Sequence, residues 1–279
     1  AMRIVHEASL HDSAGGNAFV TLTYRPKELC TREQIEDGLH VPDDWSLKKE
    51  HFQRFVKRLR KSRPGVRLKY YHCGEYGSTC RHGLNLDLVD CPMCNVGRPH
   101  YHAILFNCSF DDLEPYKVGP DGEQRFTSKK LEEVWKYGFV DVGEVTFQSA
   151  AYTARYIMKK VTGDLAEDHY RSVDEYGEIT DLQPEYSTMS NGIGLSWYEK
   201  YKEDCFPSDE VPVPGTGVVK KVPRYYEERL RDEDAAMHEE VKRLRQVFRK
   251  ENADEYTPER LMAKYKVKKA ATSNLKREL

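Results

Sequence analysis

Arg98-Pro99-His100-Tyr101-His102-Ala103-Ile104-Leu105-Phe106 is the stretch on which the reading of this chain turns. Read as a strand, it alternates sides. His100, His102, Ile104 and Phe106 then share one face, and Tyr101, Ala103 and Leu105 the other. Apolar residues on both faces predict a central place in a sheet. Two uncharged imidazoles at such a place need a partner to offset their desolvation. At i and i+2 they can grip one cation while Tyr101 faces away. Glu75, in Cys73-Gly74-Glu75-Tyr76-Gly77 at the end of the preceding predicted strand, supplies a third, hard ligand if the two strands are hairpin neighbours. Two imidazoles, one carboxylate and open positions suit a divalent ion that also binds phosphate oxygens, with Mn²⁺ or Mg²⁺ as the candidates.

Further along runs Tyr152-Thr153-Ala154-Arg155-Tyr156-Ile157-Met158-Lys159-Lys160. At roughly 100° per helical residue, Tyr156 lies about 40° around from Tyr152 and Lys159 about 20° to its other side. These groups share a face, with Lys160 slightly off it. Ala151, Ala154, Met158 and Val161 fall opposite and are expected to do the burying. A phenol has a pKa near 10, so it needs a nearby cation to become a competent nucleophile. Attack on a phosphodiester gives a phosphotyrosine and a free 3′-hydroxyl, and the ester bond is conserved for rejoining. A second phenol about one turn away allows a second transfer without dissociation.

The surrounding pattern predicts an α+β fold. Strands are expected over 17–24, 66–75, 100–106 and 139–147. Helices are expected over 46–61, capped by Ser46, over 128–137, and over 149–162, capped by Ser149. The β-α-β-β-α-β-α order fits an antiparallel ferredoxin-like sheet with flanking helices. Residues 1–165 then form the endonuclease-like domain. A glycine-loop, aromatic and proline-rich extension follows over 166–222, and a charged helical C-terminal region over 223–279, with one long helix over 224–250.

The 279 residues are 39% hydrophobic and 32% charged, which excludes a membrane protein built of apolar helices. No apolar leader stands at the N-terminus, which is read as a cytoplasmic location. The net charge of −2 conceals a local bias. Residues 48–69 hold ten Lys or Arg against the single acid Glu50. Ordinary i,i+4 pairing cannot account for that, and a phosphate-tracking surface does. Lys57, Arg58, Arg60 and Lys61, with Arg98 beside the His pair, are the expected DNA contacts.

Together these motifs resemble the His-hydrophobic-His (HUH) superfamily of rolling-circle replication initiators, and within it the initiators of gokushovirus-type microviruses. The likeness runs through Phe19-Val20-Thr21-Leu22-Thr23-Tyr24, Cys73-Gly74-Glu75-Tyr76-Gly77, Gly97-Arg98-Pro99-His100-Tyr101-His102 and the Tyr152–Lys160 segment. It continues through Met189-Ser190, Gly192-Ile193-Gly194, Trp197-Tyr198-Glu199-Lys200-Tyr201 and Pro223-Arg224-Tyr225-Tyr226. The resemblance implies an HUH fold and a nicking and joining enzyme acting on single-stranded DNA at a viral origin. Its substrate in the cell would be the supercoiled duplex replicative form, with host helicase and polymerase as partners and the host bacterial cytoplasm as its place. It implies His100, His102 and Glu75 as metal ligands, Tyr156 for the first attack with Tyr152 for the second, and Lys159 and Lys160 beside them.

One departure from that pattern stands out. Residues 78–96 separate the Gly-Glu-Tyr-Gly stretch from the His motif, where the family pattern has only a few residues. The insertion holds Cys80, His82, Cys91 and Cys94, a spacing that fits a small structural Zn²⁺ knuckle, with Cys73 as an alternative ligand. Two other readings stay open: a plasmid or transposon nickase with the same chemistry, and a non-catalytic zinc-dependent DNA-binding protein.

Overall fold

The strand quoted above is the keystone of the molecule. The computed structural model describes residues 1–11, 15–77, 97–119, 122–155, 160–173 and 177–273. Their elements run α1 (Met2–Ser9), β1 (Asn17–Thr23), α2 (Arg32–Glu36), α3 (Lys49–Lys61), β2 (Lys69–Tyr76), β3 (Pro99–Phe106), β4 (Glu114–Val118), β5 (Gln124–Thr127), α4 (Lys129–Trp135), β6 (Val140–Gly143) and α5 (Phe147–Arg155). There follow α6 (Leu165–His169), β7 (Arg171–Val173), β8 (Ile179–Asp181), β9 (Tyr186–Met189), α7 (Leu195–Cys205), β10 (Glu210–Pro212), β11 (Val219–Lys221), α8 (Arg224–Glu233), α9 (Ala235–Glu251) and α10 (Pro258–Ser273).

Seven antiparallel strands form one sheet in the order β4-β5-β6-β1-β3-β2-β9. Its inner four, β6-β1-β3-β2, with α3 and α4 as crossovers, make the expected ferredoxin-like unit. Strand β3 is central and buried almost throughout. One face of the sheet (Val20, Leu22, Tyr101, Ala103, Leu105, Val142) meets Phe52, Phe55, Val56 and Leu59 of α3 and Leu131 and Trp135 of α4 in a single core. Burying each such large side chain contributes about 1.5–3 kcal/mol. Tyr101, between the two histidines, faces this core. Its hydroxyl donates to the Lys48 carbonyl at 2.9 Å and accepts from the Lys48 amide at 3.0 Å, so the buried phenol is satisfied.

Several local expectations give way to different physics. Ser46 does not cap α3; its hydroxyl accepts the Gln183 amide instead, at 2.8 Å. Helix α5 begins at Phe147 rather than Ser149, because Thr146 and Ser149 exchange side-chain-to-amide hydrogen bonds of 3.1 and 2.9 Å in a reciprocal cap. The expected long helix over 224–250 is two helices, since Asp234 leaves helical geometry to accept the Met237 amide at 2.9 Å. The hairpin β4–β5 and the edge strand β9 extend the sheet beyond the four expected strands.

The chain divides into two compact units, Arg3–Ile193 and Gly194–Leu279. The expected boundary at 165/166 falls inside the first unit, because β9 pairs with β2 and keeps that segment on the sheet. In the second unit the two aromatic motifs of the C-terminal half meet: Trp197 stacks on Tyr226 with centroids 5.9 Å apart. Arg245 ties that unit further, bridging Asp209 and Glu227 at 2.6 Å each.

Candidate metal centre and tyrosine helix

The register of β2 on β3 places Glu75 opposite His100 and Cys73 opposite His102. That register faces Glu75, His100 and His102 to the side of the sheet away from the α3–α4 core. The Glu75 carboxylate oxygen Oε1 lies 2.7 Å from His100 Nε2 and 3.0 Å from His102 Nε2. All three ligand atoms fall within 4.8 Å of one another, and the only such cluster among the described residues is this one. Metal–ligand bonds of about 2.1 Å at near-right angles separate neighbouring donors by about 3 Å, so the spacing suits one small divalent ion.

The donor chemistry points the same way. The His100 Nδ1–H donates to the Arg98 carbonyl at 3.1 Å. A carbonyl can only accept, so Nε2 is left with a lone pair aimed at a carboxylate oxygen. Two lone pairs at that distance need a cation between them, a proton or a metal ion. Burial alone would push the Glu75 carboxyl up, but the His100 and His102 imidazoles outweigh it and hold it near 2. Glu75 is therefore ionised at neutral pH.

On β3's other side, β1 places Thr21 opposite His102 and Thr23 opposite His100. The Thr21 hydroxyl meets His102 Nδ1 at 3.0 Å, the contact that fixes which ring nitrogen carries the proton. Phe19 stacks on the His102 ring with centroids 5.7 Å apart and planes 10° from parallel. The Arg125 guanidinium lies 5.7 Å over Phe19's ring. Gly143 makes room for it: a Cβ there would sit 2.3 Å from an Arg125 nitrogen. Thr21, Phe19 and Arg125 are site-shaping residues that sequence reading passes over. The alternation Thr21-Leu22-Thr23 repeats the His-x-His spacing and is the one signal that points to them.

Helix α5 lies on this same face, against β3 and β2. Tyr152 is buried and meets His102 edge-on, with centroids 5.4 Å apart, and Phe19 edge-on at 6.4 Å. Its helix buries Ser149, Ala150, Tyr152 and Thr153, while Ala151 and Ala154 are half-buried. The phenol-bearing stripe, not the alanine stripe, turns toward the sheet, because the ring finds aromatic partners there. Tyr156 and Lys159 lie outside the described residues, as do Cys80, His82, Cys91 and Cys94. Lys160 is exposed. Val161, next to it, donates its amide to the Tyr170 hydroxyl at 3.0 Å, and that phenol is hydrogen-bonded to Glu185. Cys73 is buried in β2 across from His102.

The basic helix is arranged differently from its sequence reading. Because α3 covers the opposite face of the sheet, its cations do not line the metal cluster. Arg58 donates to the Val134 and Trp135 carbonyls at 2.7 and 2.9 Å, satisfying the last turn of α4. Arg60 donates to the Leu68 carbonyl at 3.3 Å. Lys57 and Lys61 stay exposed. Arg98 is buried, its guanidinium 5.8 Å over the Trp45 ring.

Residues 17–84 and 92–161 match the family model of the replication-associated protein ORF2. The chain is 34% identical to the replication-associated protein ORF2 of Spiroplasma virus 4 over 222 residues, 78% of this chain and 58% of that protein. It is 32% identical over 236 residues to the replication-associated protein VP4 of Bdellovibrio phage phiMH2K, 82% of this chain and 61% of that protein. The chain belongs to the replication-associated proteins of small single-stranded-DNA phages. A further member, ORF4 of Chlamydia phage 1, is 29% identical over 83% of this chain and 49% of its own length. This replication-associated chain thus spans about half to three-fifths of the length of these curated relatives. No solved structure matches it.

Proposed function

We propose that this chain is a site-specific single-strand DNA endonuclease and strand-joining enzyme that starts and ends rolling-circle replication at a viral origin. The observation that carries the reading is the seating of a tyrosine-bearing helix edge-on against a His–His–Glu cluster. Its relatives' names, replication-associated proteins of phages, support a role in viral DNA replication. Host bacterial cytoplasm is the location that role requires.

A divalent cation, Mn²⁺ or Mg²⁺, held by Glu75, His100 and His102 would polarise the scissile phosphate as a Lewis acid. The chain's own residues do the rest. The Arg98 carbonyl and the Thr21 hydroxyl orient the two imidazoles so that both Nε2 atoms face inward. A tyrosine oxygen, from Tyr156 or Tyr152, forms the bond to phosphorus as the bond to the 3′-oxygen breaks. That oxygen leaves as a 3′-hydroxyl, having taken up a proton. The DNA 5′ phosphate stays on the phenol. Lys159 and Lys160 favour the phenolate and offset the charge that builds on phosphate. The second tyrosine cleaves the regenerated origin, and a 3′-hydroxyl attacks the phosphotyrosine to close the circle.

The test is cleavage of a labelled single-stranded origin oligonucleotide in Mn²⁺. Replacing both tyrosines by Phe is expected to abolish nicking while leaving DNA binding intact. Undiminished nicking by the double variant would overturn the reading. A zinc-dependent protein that only binds DNA would show binding and no nicking in the wild type.

A further inference from the structure

The glycine loop Ser190-Asn191-Gly192 has no part in the chemistry above, yet it is firmly attached to the sheet. Ser190 donates its amide to the Tyr70 carbonyl at 2.8 Å, and its hydroxyl accepts the Tyr70 amide at 3.0 Å. Lys69 reaches over to the Gly192 carbonyl at 3.2 Å and forms a 2.8 Å ion pair with the buried Glu7. Gly192 turns the loop at a φ of 69°, a left-handed conformation that favours glycine. The loop thereby forms one wall of an open groove of about 290 Å³. The other wall is Arg60 at the end of α3 and Arg67 on the connection into β2.

The groove's chemistry is one-sided. Beside Val66 and Leu68 it presents three cations, Arg60, Arg67 and Lys69, two neutral hydrogen-bonding side chains, Ser190 and Asn191, and no acid. Lys69 is engaged with Glu7, so it holds the loop rather than a ligand. Arg60 and Arg67 form no salt bridge among the described residues, and both are exposed. Uncompensated guanidinium groups beside amide and hydroxyl donors match the oxygens of a phosphodiester.

We propose that this groove holds a backbone phosphate of the DNA at a distance from the nick. Lys69 and Glu75 stand at the two ends of one face of β2, six residues and so about 20 Å apart. The groove therefore grips DNA flanking the cleavage point, and the contact is to backbone rather than to base. This rests on the nicking function proposed above, and it deepens it by naming how the flanking DNA is held.

The experiment measures binding of the whole chain to a labelled origin DNA of about forty nucleotides, by fluorescence anisotropy over a range of salt. The variants are Arg67→Ala and Arg60→Ala with Arg67→Ala, with a short oligonucleotide spanning only the nick site as second probe. Removing one phosphate contact should lower the slope of log K against log salt by about 0.7 to 0.9. The double variant is expected to show about twice that reduction on the long DNA, with nicking of the short oligonucleotide unchanged. Lys57→Ala, exposed elsewhere on α3, is the control and should alter the slope less. Unchanged slopes in both groove variants would overturn the proposal. A wild type whose salt slope depends on Arg67 but that never nicks would instead overturn the nuclease reading and leave the groove standing.

Discussion

The Tyr152 ring meets the His102 imidazole edge-on, with centroids 5.4 Å apart and planes at 80°. Helix α5 and strand β3 are thereby fixed on the same face of the sheet, and the phenol-bearing stripe is the buried one. A helix seated on the opposite face, with α3 and α4, would have put the core between tyrosine and metal ligands.

Metal binding should stabilise the fold and should require the cluster. A ligand that binds only the folded state at 100 times its dissociation constant adds about 2.7 kcal/mol of stability. Mn²⁺ is expected to raise the thermal midpoint of the wild type and to leave that of His100→Ala with His102→Ala unmoved. Differential scanning fluorimetry with and without EDTA checks it. An equal shift in both proteins would place the metal elsewhere.

Thr21 should matter through His102. Its hydroxyl at 3.0 Å from Nδ1 selects the tautomer that offers Nε2 to a cation. Loss of such a partner costs about 10- to 100-fold in metal affinity. Thr21→Val is expected to weaken Mn²⁺ binding by that factor, and Thr21→Ser to restore it, both with unchanged folding by circular dichroism. Calorimetric titration of Mn²⁺ measures it. Equal affinity in the Val variant would show that Thr21 does not set the ring.

The buried histidines on the core side predict a pH effect. His72 stacks on Phe52 with centroids 3.5 Å apart, and its Nε2 is buried without a hydrogen-bond partner among the described residues. Burial pushes its pKa down to about 3, against a weaker opposing effect of the Thr188 hydrogen bond. His51 is pushed down to about 4, again chiefly by burial. The folded state resists protonation that the unfolded chain accepts below about 6.5. The stability each neutral ring contributes is therefore complete above that pH and is lost as pH falls toward the folded values. The slope reaches about 1.4 kcal/mol per pH unit and group. In urea titrations between pH 7 and 4, His72→Gln should lose stability less steeply than the wild type. Parallel curves would refute the assignment.

Much of this fold can be read along the chain where one residue pattern serves one element. Both apolar faces of 103–106 identify a central strand, and the 52-55-56-59 spacing identifies α3's buried side. Strand β4 escapes such reading because Glu114-Pro115-Tyr116-Lys117-Val118 is an exposed edge with almost no apolar alternation. Strand β9 is only four residues long. The His–His–Glu set is legible because i, i+2 geometry and one hairpin assumption suffice. The Thr21 contact is not, since it depends on which strand flanks β3 and in what register. The arginines of α3 resemble a DNA surface in sequence. Arg58 instead serves the end of α4, a partner far away along the chain.

The insertion at 78–96 should bind zinc through Cys80, His82, Cys91 and Cys94. Metal analysis of protein purified without chelators is expected to find about one zinc per chain, absent from a variant with Cys91 and Cys94 both changed to Ser. A wild type without zinc would remove the knuckle.

Incubation with Mn²⁺ and a 5′-labelled and 3′-labelled origin strand, followed by peptide mapping of any covalent product, tests the nucleophile assignment most directly. The expected result is a 5′-phosphotyrosine on Tyr152 or Tyr156, with partial activity in each single Phe variant and no adduct when His100 and His102 are Ala. Cleavage without a covalent product, or an adduct on a residue outside that helix, would contradict it.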